Sequence, residues 1–224
     1  ALQNIAPMIA RHNITGLVLA GGQGQRMGGV DKGLQPWAGQ PLVQHALQRL
    51  APQVGPLLLS VNRNLPAYQA LAAPLQAGLV TDHTATSLGP LAGFCAALER
   101  CTTPWLLTVP CDSPLLPLDL AARLAQAAVQ AHTDLAMVLA RTPQDCAQLR
   151  PQPVFCLLHQ RLLPSLQHYL HTGRHTIRAW ADTHRPAWAV FEQPHDHPLA
   201  FYNANTLQEL QQLEQWCAPP SSPP

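Results

Sequence analysis

Lysine is nearly missing from this chain. Thirteen residues are basic, and all but Lys32 are arginines. Charge of either sign is sparse, at 11% of residues with a formal net charge of +1. That balance gives no electrostatic reason to expect nucleic acid or an acidic membrane surface as a partner, so any recognition of phosphate must be local. No apolar run approaches the roughly 18 residues of a spanning helix, so no membrane association is expected. The first dozen residues, broken by Pro7 and His12, lack the apolar centre of a secretory signal, and a cytoplasmic location is expected. The six cysteines (Cys95, Cys101, Cys111, Cys146, Cys156, Cys217) form no C-x-x-C pair. They read as mostly small buried thiols rather than zinc ligands or disulfides. His168 and His171 are three apart, and His195 and His197 flank Asp196, but neither pair has a matching cluster elsewhere and a histidine metal site is not expected. There is no internal repeat and no Ser-His-Asp set.

What is present is an alternation of buried-type strands and amphipathic helices. At 224 residues and 47% hydrophobic, one core and one domain are the default. The expected organisation is an N-terminal extension over 1–13, a single domain over 14–216, and a Pro/Ser-rich tail over 217–224 that does not fold. Short continuous apolar runs at 14–20, 56–61, 78–81 and 105–109 suit strands covered on both faces. Between them lie helical spacings at 41–50, 67–73 and 90–100. Further on, the pattern predicts helices over 118–131, about 161–171 and 177–181, and strands over 135–140, 150–158 and 187–191. A last helix is introduced by Thr206 and Glu209, which have the T-x-x-E spacing of a capping box. Strand and helix in alternation predict right-handed βαβ units in an open, mostly parallel sheet with helices on both faces. Asp82, Asp112 and a glycine-rich loop each fall just past a strand end, where ligands sit in such sheets.

That loop, 19–32, carries Gly21, Gly22, Gly24, Gly28 and Gly29 and ends on Asp31 and Lys32. Glycines at this density let backbone N–H groups turn inward and approach a phosphate closely. Two glycine motifs are excluded. The dinucleotide fingerprint fails because Met27 stands where its last glycine should be, and the Walker loop fails because Lys32 follows Asp31 and precedes Gly33. Breaking an α–β phosphate bond needs the triphosphate held and its developing charge neutralised. The loop backbone from Leu19, Ala20, Gly21 and Gly22 is the candidate cradle. Arg26 and Lys32 are the candidate cations, one a planar fork and the other a point charge. Asp112 is the candidate Mg²⁺ ligand, since that ion commonly takes one or two carboxylates plus substrate phosphates. Cys111 reads as core. Asp31 either pairs with a neighbouring arginine or caps the next turn, or else it serves the site.

In order along the chain, the segments Leu19-Ala-Gly-Gly-x-Gly-x-Arg-Met-Gly-Gly-x-Asp-Lys32, Gly89-Pro-Leu-Ala-Gly93, Pro110-Cys-Asp-Ser-Pro114 and Asn203-Ala-Asn-Thr206 resemble the molybdenum cofactor guanylyltransferase family. The resemblance spans about 14–213. It implies a three-layer Rossmann-like nucleotidyltransferase fold and transfer of GMP from GTP to the terminal phosphate of molybdopterin, with Mg²⁺ required and pyrophosphate released. It further implies that Asp82 helps bind the guanine nucleotide and that Gly89, Asn203 and Asn205 lie on the molybdopterin side. A plain N-cap role for Asn205 stays open, as does a cap or turn role for Asp82. Cofactor-insertion proteins and molybdoenzyme chaperones are the further partners implied. The chain departs from the family at the end of the second strand, where Ser60 replaces an asparagine that reads the base. Asn62 and Asn64 lie just beyond, and Asn62 is the candidate substitute. The alternatives are a cytidylyl or sugar-phosphate nucleotidyltransferase, set second by Gly21 and the Gly-Gly-x-Asp-Lys ending, and a nucleotide-binding chaperone without turnover.

Overall fold

A computed structural model describes residues 8–20, 29–82, 89–143 and 145–217, without the side chains of Asp145 and Cys146. Among the described residues the main sheet has seven strands in the order β5-β4-β1-β6-β8-β7-β9. They are β1 (Ile14–Leu19), β4 (Leu57–Ser60), β5 (Gly78–Val80), β6 (Trp105–Pro110), β7 (Leu135–Thr142), β8 (Asp145–His159) and β9 (Ala187–Phe191). β1 pairs in parallel with β4 and β6, β4 with β5, and β7 with β9. Only β8 runs against its neighbours β6 and β7. A two-residue hairpin, β2 (Pro36–Trp37) with β3 (Gln40–Pro41), stands apart from the sheet. Its turn places Ala38 and Gly39 at φ of 48° and 80°, the left-handed pair that matches strand twist in a tight hairpin.

The helices are α1 (Leu42–Leu50), α2 (Leu65–Ala72), α3 (Pro90–Arg100), α4 (Leu120–Ala131), α5 (Leu163–His171), α6 (Ile177–Asp182) and α7 (Leu207–Cys217). Alternation along the strands sorts them into two layers. Ile14, Val18, Leu107, Val109, Phe155 and Leu157 point to one face, where they meet Val43 and Leu47 of α1, Tyr68 of α2 and Leu124 of α4. Leu17, Leu106, Cys156 and Leu158 point to the other, against Phe94 of α3, Leu166 of α5 and Trp180 of α6. The result is the three-layer α/β architecture expected from the sequence. A third, smaller cluster seats α7, through Leu210 and Leu213, on Trp37, Leu42 and Tyr202.

The boundaries differ from the sequence reading where turns intervene. Pro41 ends β3 rather than beginning α1, and α4 starts at Leu120, two residues later than expected. The hairpin went unforeseen because two-residue strands carry no periodicity. The last β-hairpin is longer than its apolar run: β8 extends back to Asp145, accommodating Pro151 and Pro153 beside a register shift against β7. No helix among the described residues is long and apolar enough to cross a membrane.

Close approach fixes one glycine in the core. A Cβ on Gly16 would lie 2.8 Å from Val54 Cγ2 and 2.9 Å from Leu50 Cδ2, and both side chains are fully buried. Gly16→Ala is therefore expected to destabilise the protein by about 1–3 kcal/mol through overpacking. A urea midpoint that falls at unchanged m-value would show it.

Candidate active site

The topology creates the site. The chain leaves β1 for β4 and β5 on one side, then returns through α3 to β6 on the other side of β1. That reversal opens a crevice beyond the carboxyl ends of β1 and β6. Their registers bring Leu19 beside Pro110, and Cys111 N–H donates to the Leu19 carbonyl at 3.0 Å. Ala20 N–H donates to the Ser60 carbonyl at 2.9 Å, so the loop that follows β1 begins from a backbone held on both sides. Gly21, Gly22 and Arg26 lie outside the described residues.

Lys32 opens a 3₁₀ turn at the far end of that loop. Its Nζ donates to Asp112 Oδ2 at 2.7 Å and to Asn205 Oδ1 at 2.9 Å. Three of the segments singled out in the sequence thus converge on one ammonium. The side chains of Lys32 and Asp112 are 24% and 12% exposed, so the pair is largely withdrawn from water, where removing one partner strands the other. Asp112 is held through its backbone as well, its carbonyl accepting Ala204 N–H at 3.1 Å. Next to it, the buried Ser113 hydroxyl donates to Asn203 Oδ1, which accounts for Asn203's position.

Helix α7 fixes the other side. Thr206 N–H donates to Glu209 Oε2 at 3.0 Å, and Glu209 N–H donates to Thr206 Oγ1 at 3.1 Å, the reciprocal capping box expected from the sequence. Asn205 N–H also donates to Glu209 Oε2. Thr206 and Glu209 do the capping, so the Asn205 side chain is turned to Lys32 instead of to the helix end.

Asp31, ambiguous in the sequence, is buried within an anchoring cluster. The Tyr68 hydroxyl donates to Oδ1, Asn64 Nδ2 donates to Oδ2 at 2.8 Å, and Arg63 Nε lies 3.5 Å from Oδ2. Burial, and then the hydrogen bond to Asp31, push the Tyr68 hydroxyl far above its ordinary range; it stays a donor. Arg63 and Tyr68 were missed from sequence. The available signal was a tyrosine on the inward stripe of α2, because a buried phenol needs a partner for its hydroxyl.

At the end of β4, Ser60 is buried, and a Cβ on Gly93 would come within 3.0 Å of its Oγ. Helix α3 is pressed against it at that glycine. Asn62 is exposed, and its Oδ1 accepts Asp82 N–H at 3.2 Å. Asp82 also lines a groove of about 830 Å³ between α3 and α5 with Cys95, Glu99 and Arg100. Gly89 has φ of 72° immediately before α3, a conformation glycine adopts without penalty.

Cys111 adjoins Asp112 but is fully buried, and burial followed by the Asp112 charge pushes its thiol well above the usual range. It is no nucleophile. Of the other cysteines with described side chains, Cys156 is buried, Cys95 and Cys101 are half-buried and Cys217 is exposed, all free. Asp119, His195 and Asp196 approach one another at the surface. Arg123 fills that cluster, bonded to Asp196 Oδ1 and 3.6 Å from Asp119 Oδ2, so a guanidinium already supplies the positive charge.

Residues 16–187 match the family model for the MobA-like NTP transferase domain. The molybdenum cofactor guanylyltransferase of Acidovorax ebreus is 53% identical over 210 residues, covering 92% of this chain and 98% of that protein. The protein of the same name from Cupriavidus necator is 50% identical over 207 residues, covering 92% and 99%. Among solved structures, molybdopterin-guanine dinucleotide biosynthesis protein A of Archaeoglobus fulgidus superposes with a TM-score of 0.70 at 20% identity, over 91% of this chain and 98% of that one. A 4-diphosphocytidyl-2C-methyl-D-erythritol synthase from Anaerococcus prevotii also reaches 0.70, at 10% identity over 91% and 95%. These two show a shared fold.

Thr206→Ala removes half of the capping box and is expected to cost about 1 kcal/mol of stability. Denaturant unfolding measures it.

Proposed function

The chain belongs to the MobA-like NTP transferase family, and from that premise we propose that it transfers GMP from GTP to molybdopterin, releasing pyrophosphate, in the cytoplasm. The observation that carries this reading is the meeting of Lys32, Asp112 and Asn205 at 2.7 and 2.9 Å, at the crevice where the strand order reverses. The relatives at about half identity, which bear the guanylyltransferase name, support the choice of base and acceptor.

In this reading the backbone of Leu19, Ala20, Gly21 and Gly22 cradles the triphosphate, and Arg26 adds a fork of donors. Lys32 exchanges its bonds to Asp112 and Asn205 for phosphate oxygens. An oxygen of the acceptor's terminal phosphate attacks the α-phosphorus; the α–β bridging P–O bond breaks and its electron pair leaves with pyrophosphate. The nucleophile is already an anion, so no general base is required. Lys32 neutralises charge that grows on the phosphates in the transition state, where a fixed cation in a dry site acts most strongly. Asp82 and Asn62 meet the base, with Asn62 taking over from the buried Ser60. Gly89, Asn203 and Asn205 border the acceptor.

The donor set fits Mg²⁺. Asp112 offers one carboxylate at a strand end beside the phosphate loop, and a single carboxylate completed by substrate phosphates and water suits that ion. Bound there through Asp112, Mg²⁺ would supply Lewis-acid polarisation of the phosphoryl oxygens. Cofactor-insertion proteins and molybdoenzyme chaperones are the partners to which the product would pass.

Lys32→Ala and Asp112→Ala are each expected to lower turnover a hundredfold or more, corresponding to about 3 kcal/mol of lost transition-state stabilisation, with the fold retained by circular dichroism. Pyrophosphate release with GTP, CTP and ATP, with and without molybdopterin, tests the assignment. Release with CTP but not GTP would transfer it to the cytidylyl alternative, and unchanged activity in both variants would end it.

A further inference from the structure

Residues 62–64 leave β4 and touch both ends of the nucleotide's bed. Asn62 is bound to the Asp82 backbone on the base side. The next two residues turn the opposite way, to the far end of the glycine loop. Arg63 Nη1 donates to the Gly29 carbonyl at 3.1 Å and Nη2 to the Val30 carbonyl at 3.2 Å, while Nε faces the Asp31 carboxylate. One planar guanidinium thus spans three consecutive residues directly before Lys32. Asn64 adds its amide to Asp31, at a φ of 52°. It precedes α2 yet makes no side-chain cap of that helix, so its side chain serves the loop rather than its own helix.

From beneath, Tyr68 donates to the other oxygen of Asp31. A Cβ on Gly33 would lie 2.5 Å from the Tyr68 hydroxyl, so glycine after Lys32 gives the phenol its path. Asp31 is therefore held through both carboxylate oxygens, directly before Lys32. A long, rotamer-rich lysine gains aim when its backbone cannot shift.

We propose that Arg63 is a positioning residue for the transfer. Through Gly29, Val30 and Asp31 it sets the backbone from which Lys32 reaches the phosphates, and through its neighbour Asn62 it links that backbone to the base-reading side. It touches neither phosphate nor metal. The inference rests on the guanylyl-transfer reading above and adds to it a side chain outside the four sequence segments that carried it.

The test compares pyrophosphate release from Mg-GTP, with molybdopterin as acceptor, for the full chain and its Arg63→Lys and Tyr68→Phe variants. Arg63→Lys keeps the charge but loses the planar fork that donates to two carbonyls while its Nε lies 3.5 Å from a carboxylate. The expected result is a kcat lowered about tenfold to a hundredfold, the scale of an ångström-level misplacement. The acceptor KM and the thermal midpoint stay at their wild-type values. Tyr68→Phe, which removes one hydroxyl and keeps the ring, shifts kcat in the same direction. The proposal is overturned if wild type turns over and Arg63→Lys keeps its kcat within about twofold. It is equally overturned if the loss follows the folded fraction on thermal unfolding while Tyr68→Phe stays fully active. Wild type without release from GTP would instead remove the transferase reading itself.

Discussion

The parallel pairing of β1 between β4 and β6 is the constraint on which the rest depends. It sends the connections to β4 and β5, through α1 and α2, over one face of the sheet and the return through α3 over the other, and it leaves the ends of β1 and β6 side by side. Every polar feature of the site hangs from that edge. The glycine loop leaves from β1, Asp112 follows β6, and Asn62 and Asp82 follow β4 and β5. Backbone bonds from Ala20 to Ser60 and from Cys111 to Leu19 extend the ladder one residue past the strands, so the edge is stiff where a ligand would lie.

Upon that edge the chain has placed charges in pairs. Lys32 and Asp112, 80 residues apart, meet where water is scarce, and Asp31 collects a phenol, an amide and a guanidinium. A carboxylate withdrawn from water is tolerable only when its oxygens are satisfied. The two aspartates differ in what surrounds them. Asp31 accepts from Tyr68 and Asn64 through its two oxygens, with Arg63 beside it. Asp112 shares its cation with an asparagine on a different segment.

Much of this could be read before any coordinates. Continuous apolar runs at β1, β4 and β6 identified buried parallel strands, and the Thr206–Glu209 spacing identified the start of α7. Lys32 and Asp112 stood out from the motif spacing, and the single lysine strengthened the case. Less legible were the hairpin at 36–41, too short to show a period, and the starts of α1 and α4, displaced by the turns that precede them. Arg63 was invisible for a different reason. It sits in a polar stretch after a strand, where an arginine is ordinarily a solvated surface charge, and nothing local distinguishes it. Ser60 stands where the resemblance implies an asparagine, and Gly93 of α3 packs close to its hydroxyl.

The sequence by itself determined the order and kind of elements and the family, because periodicity and motif spacing are properties of neighbours along the chain. The tertiary structure alone decided which partners each charge would have. Lys32 finds Asp112 and Asn205 across 80 and 173 residues, and Asp31 finds Tyr68 across 37. Such pairings are set by strand order and by which face a helix presents, and by the cost of burying an unpaired charge, which is felt only after the chain has closed around it.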